Sequence, residues 1–544
     1  MSARRATQSS NACIFGKIEV VKICIINTGG TISCVGDPLA PMSAADFAAA
    51  SQSIRDPVLA EQFPDTTLVY ETDLVFPEST TGTLDSTNLQ TSDWCLMAGY
   101  FLDHCADYDG FVILHGTDSM DFTGSALPFL LNVFDAQGVG TALLSKPVII
   151  TGSQVPMFAE TMPGDTSDLT LNFNTDAFRN YCGAVACARL GISEVGDYFD
   201  SCLYRGDRVL KVNASEFVAF NSPNYPPLAQ YGIRLTQYPD RMLPDPVSTS
   251  VSLDNATALA AAQAQLRAIS DAIDDFPVMQ FNAFPAAYST TSGTAIIANL
   301  ITAAVGTGLK GLVLESYGEG NFPSGNPDNV SEGAVYAALK AANDAGIVIA
   351  DSTQVIAGTV NDSAYASGAW LPDVGALSAS DMTPMAAFTK TMILQAAAAG
   401  NSWTADQVKD LIQLNLFGEV QNVSRLDSRS NSRLLAGQSI MALDGSATLS
   451  NDPASGPVLS ASDGTFLWAP FGSQAAGHPG SLFMQNDGNL VLPSADNEPI
   501  WATDTGVSGG ASSVLMFSGS YGSGDLALSV YNYSGQTLSA TLYS

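Results

Sequence analysis

The chain has 544 residues, of which 53 are acidic, 21 basic and only three histidine, so its formal charge near neutral pH is −32. A field of that sign and size repels polyanions and anionic bilayers, which argues against nucleic acid and membrane surfaces as partners. With His104, His115 and His478 as the only imidazoles, a multi-histidine metal site is not expected. Only 14% of residues are charged, so Ser, Thr, Asn and Asp must wet most of the surface. No apolar stretch approaches the ~18 residues of a membrane-spanning helix. Arg4 and Arg5 could open a signal peptide, but Lys17, Glu19 and Lys22 interrupt the apolar stretch after them, so a cytoplasmic protein is the default expectation. The eight cysteines, from Cys13 to Cys202, contain no C-x-x-C pair and read as buried small hydrophobes.

Five apolar, β-branched runs occur in chain order, at 20–26, 111–114, 148–150, 312–314 and 347–350. Each stops abruptly in small or polar residues: Asn27-Thr28-Gly29-Gly30-Thr31, His115-Gly116-Thr117-Asp118, Thr151-Gly152-Ser153-Gln154, Glu315-Ser316-Tyr317-Gly318 and Asp351-Ser352-Thr353-Gln354. Continuous apolar strands predict sheets buried on both faces. Helix-like segments at 91–103, 118–133 and 333–345 lie between them, so the fold class is α/β with parallel sheets. Ligands bind beyond the carboxyl ends of such strands, where the polar clusters must sit. The stretch 239–246 and the Ala-rich 257–273 predict a link between two lobes, 1–240 and 241–429. From 430 to 544, short β-type runs rich in Gly and Ser predict a separate all-β module.

With histidine so scarce, a nucleophile must be activated differently, by a lysine tuned through burial and a neighbouring carboxylate. Thr31 and Thr117-Asp118 are the hydroxyl candidates, and Lys211 stands out in the polar loop 203–211. Each also has a structural reading: Gly29-Gly30 as a tight turn, Thr117-Asp118 as a helix N-cap, Lys211 as a solvated charge and His115 as support for its turn. The G-x-S-x-G string at 506–510 lacks a strand-to-helix context and reads as chance.

Taken together, eight strings in a fixed order carry a family resemblance: TGGTI at 28–32, LDSTNL at 84–89, HGTDSM at 115–120, KPVIITGSQVP at 146–156, LYRGDRVLKV at 203–212, FNSPNYPPL at 220–228, GLVLESYGEGNFP at 311–323 and DMTPMAA at 381–387. Over about 20–420 the chain resembles the bacterial-type L-asparaginases, nearer their cytoplasmic branch. The resemblance implies a two-lobe fold and hydrolysis of the asparagine side-chain amide to aspartate and ammonia through an acyl-enzyme, with no metal or organic cofactor; glutamine is a second candidate substrate. It implies Thr31 as first nucleophile, Thr117 as second hydroxyl, Lys211 as its proton acceptor and Asp118 as orienting carboxylate and holder of the substrate ammonium. Ser86 with the Asp85 backbone would hold the α-carboxylate, and N–H groups at Gly30 and near Ser153-Gln154 the oxyanion. The family's lid tyrosine is replaced by Leu39, and Tyr365 resembles a residue that some relatives supply from a neighbouring subunit. The family assembles as homodimers or homotetramers, so Asn321 would reach across the interface. The segment 158–174 is longer than the family's polar link.

Residues 480–506 resemble the bulb-type mannose-binding lectins, whose all-β prism binds mannose-type sugars through a Gln-x-Asp-x-Asn-x-Val-x-Tyr strand. Gln485, Asp487, Asn489 and Val491 match, while Pro493 replaces the tyrosine, and the repeats near 464–474 and 514–531 lack the motif. Such a tail and such a charge also suit an extracellular protein. Two other readings stand beside the asparaginase one. A carbohydrate-binding protein on an impaired asparaginase scaffold is the first. The second is the amidase subunit of a transfer-RNA amidotransferase, disfavoured by the acidity and by the roughly twenty residues before the first strand, too few for that subunit's extra β-domain.

Overall fold

The computed structural model describes residues 20–544 except 137–139, 163, 165–167, 244–245, 247–249, 361–364, 421–424, 428–432, 443–445, 473–478, 486, 495–497, 508–512 and 533–536. Arg4, Arg5, Cys13, Lys17, Glu19 and His478 lie outside the described residues, as do parts of 158–174, 239–246 and 506–510.

Eight strands form the first sheet: β1 (Val21–Asn27), β2 (Thr66–Glu71), β3 (Gly110–Leu114), β4 (Val148–Thr151), β5 (Val195–Phe199), β6 (Cys202–Arg205), β7 (Ala229–Tyr231) and β8 (Leu235–Gln237). Their order is β8-β7-β6-β5-β4-β3-β1-β2. From β2 to β5 all pairs are parallel, and β6, β7 and β8 continue the sheet antiparallel. Alternate residues enter two different cores. Cys24, Ile26, Phe111, Ile113, Val148 and Ile150 face one. Ile23, Ile25, Val112, Leu114 and Ile149 face the other. Helices cover both sides, so every side chain of β3, β4 and β5 is buried and the strands carry no polar alternation.

The second lobe has four parallel strands in sequential order, β9 (Val278–Asn282), β10 (Gly311–Ser316), β11 (Val348–Thr353) and β12 (Ala376–Ser378). The predicted helices are α1 (Thr91–His104), α2 (Met120–Leu131) and a helix at Ala334–Asp344. A further helix, α3 (Pro384–Asn401), joins the lobes: Met392, Ile393 and Leu394 lie in the same core as Leu127, Phe129 and Leu130, and the Phe388 ring meets Phe122 edge-on at 5.6 Å. Buried charges reinforce this seam. Lys390 pairs with Glu419 at 2.5 Å, and Arg208 reaches Asp381 at 2.5 Å and the Glu419 carbonyl at 2.6 Å.

From Arg425 onward the strands form three four-stranded antiparallel sheets around one core that includes Leu449, Leu482, Leu490, Leu515 and Leu528. Burial alternates strictly along Ala447–Asp452, as expected of strands with one face to the core. The segment 158–174 contains an antiparallel pair, Phe158–Glu160 with Leu169–Leu171, tied to the first strand-end loop by Met157 N–H on the Ile32 carbonyl. The seven described cysteines are free thiols, five of them buried. No described helix is long and apolar enough to cross a membrane.

Removing one partner of a buried ion pair leaves the other charge uncompensated, at a cost of about 3–5 kcal/mol. Lys390→Met is therefore expected to lower the unfolding midpoint of the lobes in a denaturant titration, and an unchanged midpoint would show that the seam does not depend on this pair.

Candidate active site

The site begins with backbones in contact. Gly29 and Gly30 hold φ of 117° and 75° where β1 ends. A Cβ on Gly29 would overlap the Leu84 backbone, one on Gly30 the Gly116 backbone, and one on Gly116 the Ser86 side chain. Only glycine combines positive φ with such close approach. Hydrogen bonds lock the arrangement: Leu84 N–H donates to the Thr28 carbonyl at 2.8 Å and Gly30 N–H to the Leu84 carbonyl at 2.9 Å. The loops after β1 and β3 and the turn at 84–86 thus meet beyond the carboxyl ends of the sheet.

His115 holds its turn from below. Its Nδ1–H donates to the Gly116 carbonyl at 2.7 Å, so Nε2 accepts from Thr123 Oγ1 at 2.9 Å, and Trp94 Nε1–H donates to the same hydroxyl at 3.1 Å. Burial pushes the imidazole down to about 4, so the ring is neutral and structural. The helix N-cap is Ser119, whose hydroxyl bonds the Ser86 carbonyl at 2.7 Å, which leaves the preceding Thr117 and Asp118 outside that role.

Lys211 comes from across the sheet, on the short strand Leu210–Lys211 paired with Phe220–Asn221. Its ammonium donates to Thr117 Oγ1 at 2.8 Å and to Asp118 Oδ1 at 2.7 Å. The pattern is graded in exposure: Thr117 is 6% exposed, the Lys211 side chain 20% and that of Asp118 55%. Beneath them the Lys211 N–H donates to Asp121 Oδ2 at 3.1 Å. Burial pushes the Asp121 carboxyl up to about 6, against the pull of the Lys211 and Phe122 N–H groups.

The remaining candidates fall into place unevenly. Thr31 follows Gly30 at the head of a short 3-10 turn and is partly exposed. The Ser86 hydroxyl is buried with no partner among the described residues, whereas the Asp85 carboxylate caps the 86–88 turn through Thr87, leaving its backbone as the part that could meet a ligand. The Ser153 hydroxyl is held by the Val155 carbonyl at 2.7 Å, and the Gln154 N–H by Asp176. The Gly30 N–H is likewise occupied by Leu84. The two oxyanion donors expected from the sequence therefore already have acceptors, and Gly30 contributes close approach instead.

Tyr365 and Asn321 sit together on the second lobe. The Tyr365 carbonyl accepts from Gly368 N–H, and Asn321 Oδ1 accepts from Ser367 Oγ at 2.7 Å. Tyr365 is 58% exposed, and so is Leu39, at 56%, in the hairpin closed by Cys34–Val35 and Ala40–Pro41. In the tail, Gln485, Asp487 and Asn489 share the turn before the strand Leu490–Pro493, with Val491 on that strand. Asp487 Oδ1 accepts the Asn489 N–H at 2.9 Å, and Asn489 Oδ1 is taken by Thr503 and Thr505. Among the described residues no group of three or more His, Cys, Asp or Glu side chains could hold a metal ion. Asp121 was not singled out from the sequence, because its contact with Lys211 joins residues ninety positions apart.

A two-lobed α/β fold with a threonine, a lysine and a carboxylate in mutual contact, and no imidazole among them, defines a class of hydrolase that works without a histidine triad. Residues 22–242 match the family model "Asparaginase, N-terminal" and residues 291–409 "Glutaminase/Asparaginase C-terminal domain". The chain is 32% identical over 338 residues to L-asparaginase 1 of Escherichia coli strain K12, covering 62% of this chain and 82% of that protein. It is 31% identical over 324 residues to a glutamyl-tRNA(Gln) amidotransferase subunit of Aeropyrum pernix, covering 58% of this chain and 62% of that protein. The crystal structure of L-asparaginase I from Vibrio cholerae superposes with a TM-score of 0.54 at 28% identity, covering 74% of this chain and 99% of that one. The chain belongs to the asparaginase family and is an amidohydrolase.

Ser86 and Gly116 offer a direct check on the backbone contact. Gly116→Ala would press a methyl into the Ser86 side chain, and a loss of amidase activity of at least ~10-fold, measured on folded protein, is expected from displacing Thr117 by a fraction of an ångström.

Proposed function

We propose that this enzyme hydrolyses the side-chain amide of L-asparagine through a threonine acyl-enzyme. The observation that carries the reading is the Lys211 ammonium placed between Thr117 Oγ1 and Asp118 Oδ1. In this reading the Thr31 hydroxyl attacks the amide carbon, its proton passes to the departing nitrogen, ammonia leaves, and an ester to Thr31 remains. Water then attacks the ester carbon, its proton is relayed through Thr117 and Lys211 in its neutral amine form to the Thr31 oxygen, and aspartate departs. A zwitterionic substrate needs one anionic and one hydrogen-bonding clamp. Asp118, with its side chain open to solvent, suits the α-ammonium. The unpartnered Ser86 hydroxyl and the Asp85 backbone suit the α-carboxylate. Glutamine, one methylene longer, is the competing substrate.

The lobes expected at 1–240 and 241–429 carry this chemistry, and the tail, whose first strand Arg425–Asp427 lies just ahead of the expected 430–544, forms a lectin-like β-prism, supported by three antiparallel sheets on one core. Tyr365, exposed on the second lobe, and the half-buried Asn321 near it complete the site of a neighbouring copy in a homodimer or homotetramer. Service to transfer-RNA amidation fits a chain of charge −32 poorly. A mannose-type ligand is a second reading for the tail, resting on Gln485 and Asp487 now that the Asn489 carbonyl oxygen is engaged.

Thr117→Ala should reduce ammonia release from asparagine by roughly 10²–10⁴-fold with folding intact; parent-like turnover would remove Thr117 from the mechanism. Tyr365→Phe should lower kcat at least several-fold, and undiminished turnover would sink the shared-site reading. Passage of the intact protein through immobilised mannose without retention would remove the sugar reading.

A further inference from the structure

Behind the Thr117–Lys211 pair lies a layer of buried acids that hydrolysis itself does not call upon. Asp121, in the first turn of α2, is 3% exposed, and its two oxygens accept the Lys211 N–H and the Phe122 N–H, each at 3.1 Å. We infer that Asp121 is a positioning residue for Lys211: its carboxylate anchors the lysine backbone to the helix whose start also presents Thr117 and Asp118, so that one rigid element sets all three groups. The inference rests on reading Lys211 and Thr117 as the reacting pair.

Two further observations support the anchor. Gly124 and Gly206 lie back to back, each leaving no room for a Cβ against the other's backbone, so α2 and the turn leading to Lys211 dock at closest approach. The Asp197 carboxyl fits against Gly124, fully buried and unpartnered among the described residues. Asp121 is faced by Lys211 from its short strand and by Asp197 from β5, and Asp118 precedes it on its own helix start. Asp207, from the 206–208 turn, faces Asp197. Arg205, Arg208, Lys390 and Glu419 surround Asp207 from the seam. Burial pushes the Asp197 and Asp207 carboxyls up, with repulsion from Asp121 and Asp207 adding to the effect at Asp197 and repulsion from Glu419 adding to it at Asp207. Asp121 itself titrates at about 6. Above that pH it is a carboxylate, and its bond to the Lys211 N–H is charge-assisted; below it the bond weakens.

The ionisation also has a stability side. The value of about 6 lies above the ordinary 3.8, so the folded chain retains a proton that the unfolded chain releases. Folding stability from this group is present below pH 4 and is lost as pH rises through about 6. Activity and stability therefore respond to the same carboxylate with opposite signs.

The test is Asp121→Asn, which keeps an acceptor of the same shape and removes the titration. The expected kcat deficit on asparagine is ~5–10-fold at pH 8, shrinking toward parity at pH 5 with a midpoint near 6, while KM stays within about twofold. The thermal midpoint should move the other way, with the variant gaining on the parent as pH rises. A parent-to-variant kcat ratio that is constant from pH 5 to 8, whatever its size, would overturn the inference. Backbone hydrogen exchange at the Lys211 amide, corrected for its intrinsic rate, provides the independent arm. Protection should fall below pH 6 in the parent and show no such step in Asp121→Asn, and a parent without that step would also overturn the inference. If the parent hydrolyses neither asparagine nor glutamine, the functional reading fails while the exchange measurement still decides the role of Asp121.

Discussion

Everything at the candidate site depends on backbone meeting backbone. Gly29 against Leu84, Gly30 against Gly116 and Gly116 against Ser86 bring loops from three parts of the chain closer than any side chain would permit. Strand ends in a parallel sheet all point the same way, so their loops crowd at one edge. Without a Cβ in the way, that crowding brings together the loops that carry Thr31, Ser86 and Thr117.

The second constraint is how charge is handled in a chain with few cations. Of 21 basic residues, Arg205, Arg208 and Lys390 are buried at the seam between lobes, where each has acidic or carbonyl partners. Lys211 is partly buried and faces a hydroxyl and a carboxylate. These scarce cations thus stand beside buried acids, while carboxylates such as Asp107 and Asp254 lie at the surface, where water screens them.

The second lobe and the tail show different degrees of coupling to this centre. α3 shares one apolar core with α1 and α2, so the two sheets pack through common side chains. The tail has its own apolar core, and touches the lobes at points such as Gln438, which donates to the Asn415 carbonyl at 3.0 Å.

Much of the fold was legible because buried parallel strands leave a plain mark: continuous apolar runs that stop at small polar residues. β1, β3, β4, β10 and β11 were all visible in this way. β2, half-exposed at the sheet edge, and the short antiparallel β6, β7 and β8 were not, since their burial comes from neighbours distant in the chain. At the site, residue type and order singled out Thr31, Thr117, Asp118 and Lys211, because a chain with three histidines leaves little other chemistry for activating a hydroxyl. What only the tertiary structure decided was occupancy. Whether an N–H is free or already held, as at Gly30 and Gln154, and whether a carboxylate lies behind the lysine, as Asp121 does, depends on contacts between residues as many as ninety positions apart. Local sequence determines which groups a loop can offer; the packing of other loops determines which of them remain available.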